Sequence, residues 1–190
     1  MALSDVALTS RALIRLGAAP IASFNDGTAE SEIAAALYAP MRDALLSAYS
    51  WSFATGQVAL TKLETAPVAD YQNAFQLPND YLRIISAGGR GRGRGLNYRI
   101  LRGVLHTNAS EVMLTYVFRP EEEEFPPYFD AALIARLAAE FTIPVTENTS
   151  RAETMYRLSE REYERARQID AQQDTPNKLE QFSLIDARTE

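Results

Sequence analysis

Few side chains in this sequence have the chemistry of a catalytic group. It contains no cysteine and one histidine, His106. Without cysteine there are no disulfides, no thiolate nucleophiles and no cysteine-ligated zinc or iron–sulfur sites. A single histidine leaves almost no material for a Ser–His triad or a multi-histidine metal site. We therefore expect a protein that is not an enzyme and holds no cofactor, with His106 in a structural role.

The most unusual segment is the run GGRGRGRG at residues 88–95, which contains Arg90, Arg92 and Arg94. Residues 81–110 hold six arginines and no acidic residue. Clustered arginines attract phosphate or carboxylate groups, and glycine lets the backbone approach a ligand closely. The spacing matches neither the GxGxxG motif nor a phosphate loop with its lysine. The segment is predicted either to contact an acidic protein or DNA, or to be a hairpin tip whose charges only keep it soluble.

Four consecutive glutamates at residues 121–124, together with Asp130, are the second candidate for chemistry. Carboxylates are suitable ligands for a divalent cation, but consecutive glutamates point in different directions and lack the spacing of a calcium loop. A solvated loop is therefore expected. An enzyme with a carboxylate-bound metal at this position is kept as an alternative.

Composition indicates a folded chain that is acidic overall. The 190 residues are 46% hydrophobic and carry a formal charge of −6, with 17 arginines and 2 lysines. A chain of this size can bury a core, and its net charge argues against a protein that coats nucleic acid. No apolar run approaches the roughly 20 residues of a membrane span. The N-terminal sequence lacks the basic start of a signal peptide, so an intracellular protein without membrane contact is expected.

Apolar periodicity predicts a four-helix scaffold in two parts, residues 1–51 and 121–171. The first two helices are predicted over about 4–16 and 28–49, and a stripe on the second faces the core: Ile33, Leu37, Met41, Leu45 and Ala48. A third helix begins near Pro127 and is expected to stop at Pro144. Its core ridge is Phe129, Leu133, Leu137 and Phe141. The fourth helix is expected to begin at Ser150 with a capping box to Glu153.

The period changes to two after Trp51, which predicts a β-rich insertion over residues 52–120 and an α+β fold. In its last predicted strand, Val112, Leu114, Tyr116 and Phe118 share one face, the pattern of a half-buried strand. Trp51 and Phe53 are large aromatic residues at the point where the period changes. We expect them to form the structural junction between scaffold and insertion.

Residues 172–190 follow the last helix and are predicted to be an extended C-terminal tail. The segment is polar apart from a small apolar cluster, Leu179, Phe182, Leu184 and Ile185. Apolar residues in a segment too short to build a core suggest a partner surface.

Three strings in order together resemble a known family: YSWSFA at residues 49–54, YQNAFQLPNDYLRIIS at residues 71–86, and a third string at residues 114–148 that begins LTYVFRP and ends in FPPYFDAALIARLAAEFTIPVTEN. They are similar to the tail tubular protein A family, the head-to-tail adaptors (connectors) of tailed phages and gene transfer agents. The resemblance covers nearly the whole chain, although the arginine–glycine run is not a feature that we associate with the family.

The resemblance implies a structural virion protein of the head–tail neck, assembled in the bacterial cytoplasm. It implies a ring of twelve copies that joins the portal to a tail nozzle or stopper protein and leaves a channel for DNA passage. It also suggests that the apolar cluster of the tail binds the portal. Arg90, Arg92 and Arg94 lie outside the resemblance, and from their charge we expect them to contact the tail partner, an adjacent subunit or DNA. The alternative function, from a different class of protein, is that of a nucleic-acid-binding module that acts through loop 88–95.

Overall fold

The computed structural model describes residues 3–89 and 91–173. The chain forms four helices, α1 (Asp5–Arg15), α2 (Ala29–Ala48), α3 (Pro127–Thr146) and α4 (Thr149–Asp170). Six strands lie between α2 and α3 in the sequence. The strands are β1 (Thr55–Ala59), β2 (Asn73–Gln76), β3 (Tyr81–Gly88), β4 (Tyr98–Leu101), β5 (Val104–Thr107) and β6 (Met113–Phe118). The predicted α+β fold, with its β-rich insertion between the second and third helices, is confirmed.

Helix starts follow local capping chemistry. The hydroxyl of Ser4 accepts from the amide of Ala7 at 3.2 Å at the start of α1. At α2, Thr28 and Ser31 cap each other reciprocally. The prediction that Ser150 caps α4 is wrong, because the helix begins earlier and the side chain of Asn148 accepts from the amide of Arg151 at 2.9 Å.

Helix α3 is the centre of the scaffold. All four residues of its predicted ridge are fully buried: Phe129, Leu133, Leu137 and Phe141. The expectation that it stops at Pro144 is wrong, since the helix continues to Thr146. Pro144 lies in the last turn of the helix. Its missing amide removes only one hydrogen bond there, where several carbonyl groups have no partner within the helix in any case. Glu147, in a left-handed conformation, closes the helix.

The core-facing side of α2 differs from the predicted stripe. Ala34, Tyr38 and Leu46 are buried, whereas Ile33 is half-buried and Ala48 is exposed. Helix α2 is apolar around much of its circumference, so periodicity alone gives more than one possible core face. Of the predicted stripe, Leu45 is buried in the core, and Ile33, Leu37 and Met41 are half-buried and pack against it. The stripe therefore runs along the edge of the buried face, and only Ala48 lies outside it.

The insertion consists of two three-stranded antiparallel sheets, in the orders β1-β6-β3 and β2-β5-β4. Residues 60–63 connect them, because the amide of Leu60 donates to Val112 at 2.9 Å and that of Leu63 to Ala74 at 2.8 Å. The two sheets enclose a second hydrophobic cluster that includes Phe75 and Leu105. Strand β2 was not predicted as a strand, and residues 52–54 form a short 3-10 helix where a strand was expected.

Strand β6 lies between the two cores. The predicted common face of Val112, Leu114, Tyr116 and Phe118 packs into the cluster between the sheets. Val117, on the opposite face, belongs to the helical cluster. The sheet that contains β6 therefore joins the scaffold to the insertion.

Among the residues that the structure describes, no helix is long and apolar enough to cross a membrane.

Candidate functional site at the junction and the Arg–Gly groove

Trp51 and Phe53 lie where the chain passes from α2 into the insertion. Trp51 is 0% exposed, and its Nε1 donates to the carbonyl of Leu45 at 3.1 Å. Its ring centroid is 5.1 Å from that of Phe129 and 5.9 Å from that of Tyr163, both edge-to-face. The half-buried Phe53 also packs on Phe129, at 5.0 Å. This short segment therefore contacts both α3 and α4.

The insertion reaches the same cluster from the other side. Val117 of β6 is buried with the helical core, and Leu82 and Ile85 of β3 pack against that core. Arg83, between them, donates from Nη2 to the hydroxyl of Ser50 at 2.8 Å. The junction thus has packing from both parts of the molecule.

A buried carboxylate that the sequence analysis did not identify holds the same junction. Asp170, the last residue of α4, is 3% exposed. Its oxygens accept from the Ser52 amide at 3.0 and 3.1 Å and from the Ser52 hydroxyl at 2.7 Å. They also accept from the hydroxyl of Tyr128 at 2.8 Å. Burial and this hydrogen bond raise the pKa of Tyr128 to about 12.

One of the four glutamates at 121–124, Glu122, belongs to an ion-pair network, whereas Glu121, Glu123 and Glu124 are exposed, as expected of a solvated segment. Glu122 is half-buried and accepts from Arg42 Nη1 at 2.6 Å and from the hydroxyl of Tyr38 at 3.2 Å. Asp43 pairs with Arg42 at 3.0 Å and with Arg119 at 2.6 Å. Burial acts to raise the pKa of Asp43, but the hydrogen bonds from the two arginines outweigh it and hold that pKa below its usual range. The network fixes the end of β6 to α2.

Asp130 does not join these glutamates as a ligand set. It lies in the first turn of α3 beside a cavity of about 460 Å³ that Arg11 and Arg15 also line. Burial raises the pKa of Asp130 to about 6, against the opposing charge of Arg11. Within residues 3–89 and 91–173, no group of three His, Asp or Glu side chains is placed to hold a metal ion. His106 is half-buried in β5, opposite Ala74 and Arg99 on the neighbouring strands.

The arginine–glycine segment is not the tip of a hairpin. Strand β3 pairs with β6, and β4 pairs with β5, so the intervening residues cross from one sheet to the other. The hairpin in this region is instead β4–β5, whose turn, Arg102–Gly103, has φ values of 50° and 74°. The hairpin-tip interpretation is wrong because β4 pairs with β5 in the other sheet and not with β3.

The loop folds back onto the sheet β1-β6-β3. The carbonyl of Gly93 accepts from Ser86 Oγ at 2.7 Å and from Thr115 Oγ1 at 3.2 Å. Gln57 Nε2 in turn donates to Thr115 Oγ1 at 3.1 Å. A Cβ on Gly88 would overlap the backbone of residues 92–94. Glycine is therefore required where the loop approaches the strand.

A groove of about 1250 Å³ separates this loop from the scaffold, and we call it the Arg–Gly groove. One wall is residues 92–95, and the other is Ser50 and Ser52; the floor is Thr55, Gln57, Ile85, Ser86 and Thr115. Arg92 and Arg94 are exposed. No acidic side chain is among the described residues that line it. Its surface therefore offers hydroxyl groups, an amide group and two cations to a ligand.

Four predicted contact residues, Leu179, Phe182, Leu184 and Ile185, lie outside the described residues, as does Arg90. The structure brings Arg92 and Arg94 together at the groove, and it brings Trp51 and Phe53 together at the junction beside it.

Comparison with known proteins gives no assignment: no protein-family model matches the sequence, and no curated protein sequence matches it significantly.

Proposed function

We propose that this chain is a ring-forming head-to-tail adaptor that joins a portal to the tail of a phage or phage-like particle. One observation carries the proposal: the three strings that resemble the adaptor family meet at a single junction in the fold. The first supplies Trp51 and Phe53, the second Arg83 and the third Phe129. A shared structural position of the three strings supports the proposal.

A rigid junction suits a subunit that must hold two partners at a fixed separation. The aromatic cluster around Trp51, the buried Asp170 and the ion pairs of Asp43 all connect scaffold to insertion. In the proposed assembly, the scaffold faces the neighbouring subunits and the portal, and the insertion faces the tail nozzle or stopper. Force on the tail would then be transmitted through packed side chains rather than through a single loop.

The scaffold offers apolar surface for contacts between neighbouring copies. Ile143 of α3 is 51% exposed and Leu158 of α4 is 45% exposed. Beside Ile143 is a cavity of about 590 Å³, lined also by Ala152 and Tyr156. Exposed apolar groups on helices are typical of surfaces that are covered in an assembly. We propose that they are buried between adjacent subunits of the ring.

Net charge fits a channel that lets DNA pass without binding it. Each copy carries a formal charge of −6, and a ring of twelve would concentrate that acidic surplus around its axis. In this proposal the protein catalyses no reaction and lies in the neck of the virion. The apolar cluster of residues 179–185 contacts the portal, where it would add apolar burial in every subunit.

The proposal can be tested in cells that produce the particle. When the chain is absent, DNA-filled heads without tails should accumulate, and a tagged copy that restores tailed particles should be found at the neck. Normal tailed particles in the absence of the chain would contradict the proposal, as would a tagged copy spread over the capsid exterior.

A nucleic-acid-binding module is the second candidate, because Arg92 and Arg94 are exposed beside a groove that no described acidic side chain lines. It predicts a gel shift with DNA that weakens steeply with salt and is lost when both arginines are replaced by serine. Replacement of the exposed Arg99, which lies on β4 away from the groove, is the matched control.

A further inference from the structure

The loop wall of the Arg–Gly groove carries two exposed arginines and is hydrogen-bonded to the groove floor. Ser86 and Thr115 on the floor donate to the carbonyl of Gly93 and hold the loop in place. Arg92 and Arg94 are exposed, and no hydrogen bond or ion pair within the described residues uses their side chains. An arginine without a partner can form charge-assisted hydrogen bonds with a carboxylate.

The last described residues of the chain lie close to this groove. Asp170 accepts from the hydroxyl of Ser52 at 2.7 Å, and Ser52 is part of the groove wall. The described chain continues for three further residues, to Gln173. Three residues span at most about 10 Å, so Gln173, the last described residue, lies within a short distance of Ser52.

Charge and length both suit the segment to the groove. Residues 174–190 contain four acids, Asp174, Glu180, Asp186 and Glu190, and two bases, Lys178 and Arg188. Fully extended, the segment can reach about 55 Å, which is more than enough to cross the groove. Because it is tethered beside the groove, its effective concentration there is in the millimolar range.

Nucleic acid is the less suitable occupant. None of the described residues that line the groove is aromatic, so these residues give bases no ring on which to stack. The net charge of −6 also repels a polyanion at longer range.

We propose that residues 174–190 bind in the Arg–Gly groove of their own chain, with their carboxylates on Arg92 and Arg94. The proposal does not depend on the adaptor function. If the same segment also binds a portal, the two sites compete for it, and portal binding requires its release from the groove.

The test uses the full chain, which has no native cysteine. A single Ser183→Cys substitution in the C-terminal segment carries a nitroxide spin label, and nuclear magnetic resonance measures relaxation at backbone amides. We expect strong broadening at Ser86, Gly93 and Thr115, and a several-fold decrease on raising the salt concentration from low to high.

The Arg92→Ser, Arg94→Ser double variant should lose the broadening several-fold, whereas Arg99→Ser should retain it. Unchanged positions of the other amide signals show that each variant is folded. Groove amides that are no more broadened than the rest of the surface would overturn the proposal.

Two other outcomes would also contradict it. If broadening appears only when spin-labelled and isotope-labelled chains are mixed, the segment binds a second copy instead. If the groove amides are not broadened by the label but shift on addition of a thymidine oligonucleotide, the groove is a nucleic-acid site. All of these measurements can be made without a portal, so failure here is distinct from failure of the adaptor proposal.

Discussion

Replacing Asp170 should destabilise the whole molecule, because its carboxylate connects α4 to the junction and to α3. Three donor groups depend on it, the amide and hydroxyl of Ser52 and the hydroxyl of Tyr128, at 2.7–3.1 Å. Hydrogen bonds to a charged group contribute about 1.5–3 kcal/mol each, and donors left buried without a partner cost about 1–3 kcal/mol. These terms are not additive, so we expect Asp170→Ala to lower the free energy of unfolding by about 3–5 kcal/mol.

A more conservative change should cost less. Asp170→Asn keeps the volume and one acceptor oxygen but removes the charge, so a loss of about 1–3 kcal/mol is expected. Glu164→Ala, at an exposed position of the same helix, is the matched control and should change stability by less than about 0.5 kcal/mol. If these three variants are equally stable, the carboxylate is not holding the junction.

The assay is urea unfolding followed by the fluorescence of Trp51, the single tryptophan, which precedes Ser52 directly. Circular dichroism of the helices should give the same midpoint if the junction and scaffold unfold together. Asp170→Ala combined with Tyr128→Phe should cost less than the sum of the two single changes, because both remove the same hydrogen bond. A strictly additive result would refute the coupling inferred from the 2.8 Å contact.

The same site gives a dependence on alkaline pH. The pKa of Tyr128 is raised from 10.0 to about 12 by burial and by the hydrogen bond to Asp170. A phenol whose pKa is higher in the folded state contributes stability that is complete below pH 10 and is lost as the pH rises through about 12. Stability should therefore fall across that range, and Tyr128→Phe should make the fall shallower than in the parent protein.

Three further predictions concern the loop, the start of α3 and the scaffold surface. Gly88→Ala should displace the Arg–Gly loop and cause large changes in the nuclear magnetic resonance signals of the amides of residues 91–95. Gly89→Ala is the control and should leave these signals in place, because its Cβ would make only an ordinary contact. Equal effects of the two changes would refute the packing argument. Asp130→Asn should stabilise the protein by about 1 kcal/mol at pH 7 after screening by solvent, with less effect at pH 4. The reason is that burial raises the pKa of Asp130 from 3.8 to about 6 and so disfavours its ionised form. Thermal unfolding at both pH values measures this, and a loss of stability at pH 7 would contradict it. Ile143→Asp should leave the isolated chain folded but weaken ring formation, measured by analytical ultracentrifugation. Val68→Asp, at a fully exposed position of the insertion, is the control and should not weaken it. Rings that form equally well with Ile143→Asp would exclude this surface as a subunit contact.

Sequence reasoning identified elements whose patterns are local. The ridge of α3 is fully buried as predicted, because residues four apart on a helix share a face whatever they pack against. The alternation along β6 likewise placed Leu114 and Tyr116 correctly. For α2, by contrast, the pattern allowed more than one apolar face, and only the tertiary neighbours select Ala34 and Tyr38.

The candidate site depended on contacts that no local pattern specifies. Asp170 and Ser52 are 118 residues apart, and an aspartate at the end of a polar helix has the appearance of a solvated residue. The Arg–Gly run was identified from its composition, but its position followed from strand order, which the sequence did not determine. The six arginines and the absence of acidic residues between positions 81 and 110 were the signal that pointed to the charge of the groove.

Electron microscopy of the purified chain, alone and mixed with the portal of its particle, tests the adaptor proposal most directly. We predict closed rings of twelve copies with an open central channel, seated coaxially on the portal. Single copies at every concentration, with no added density on the portal, would contradict it.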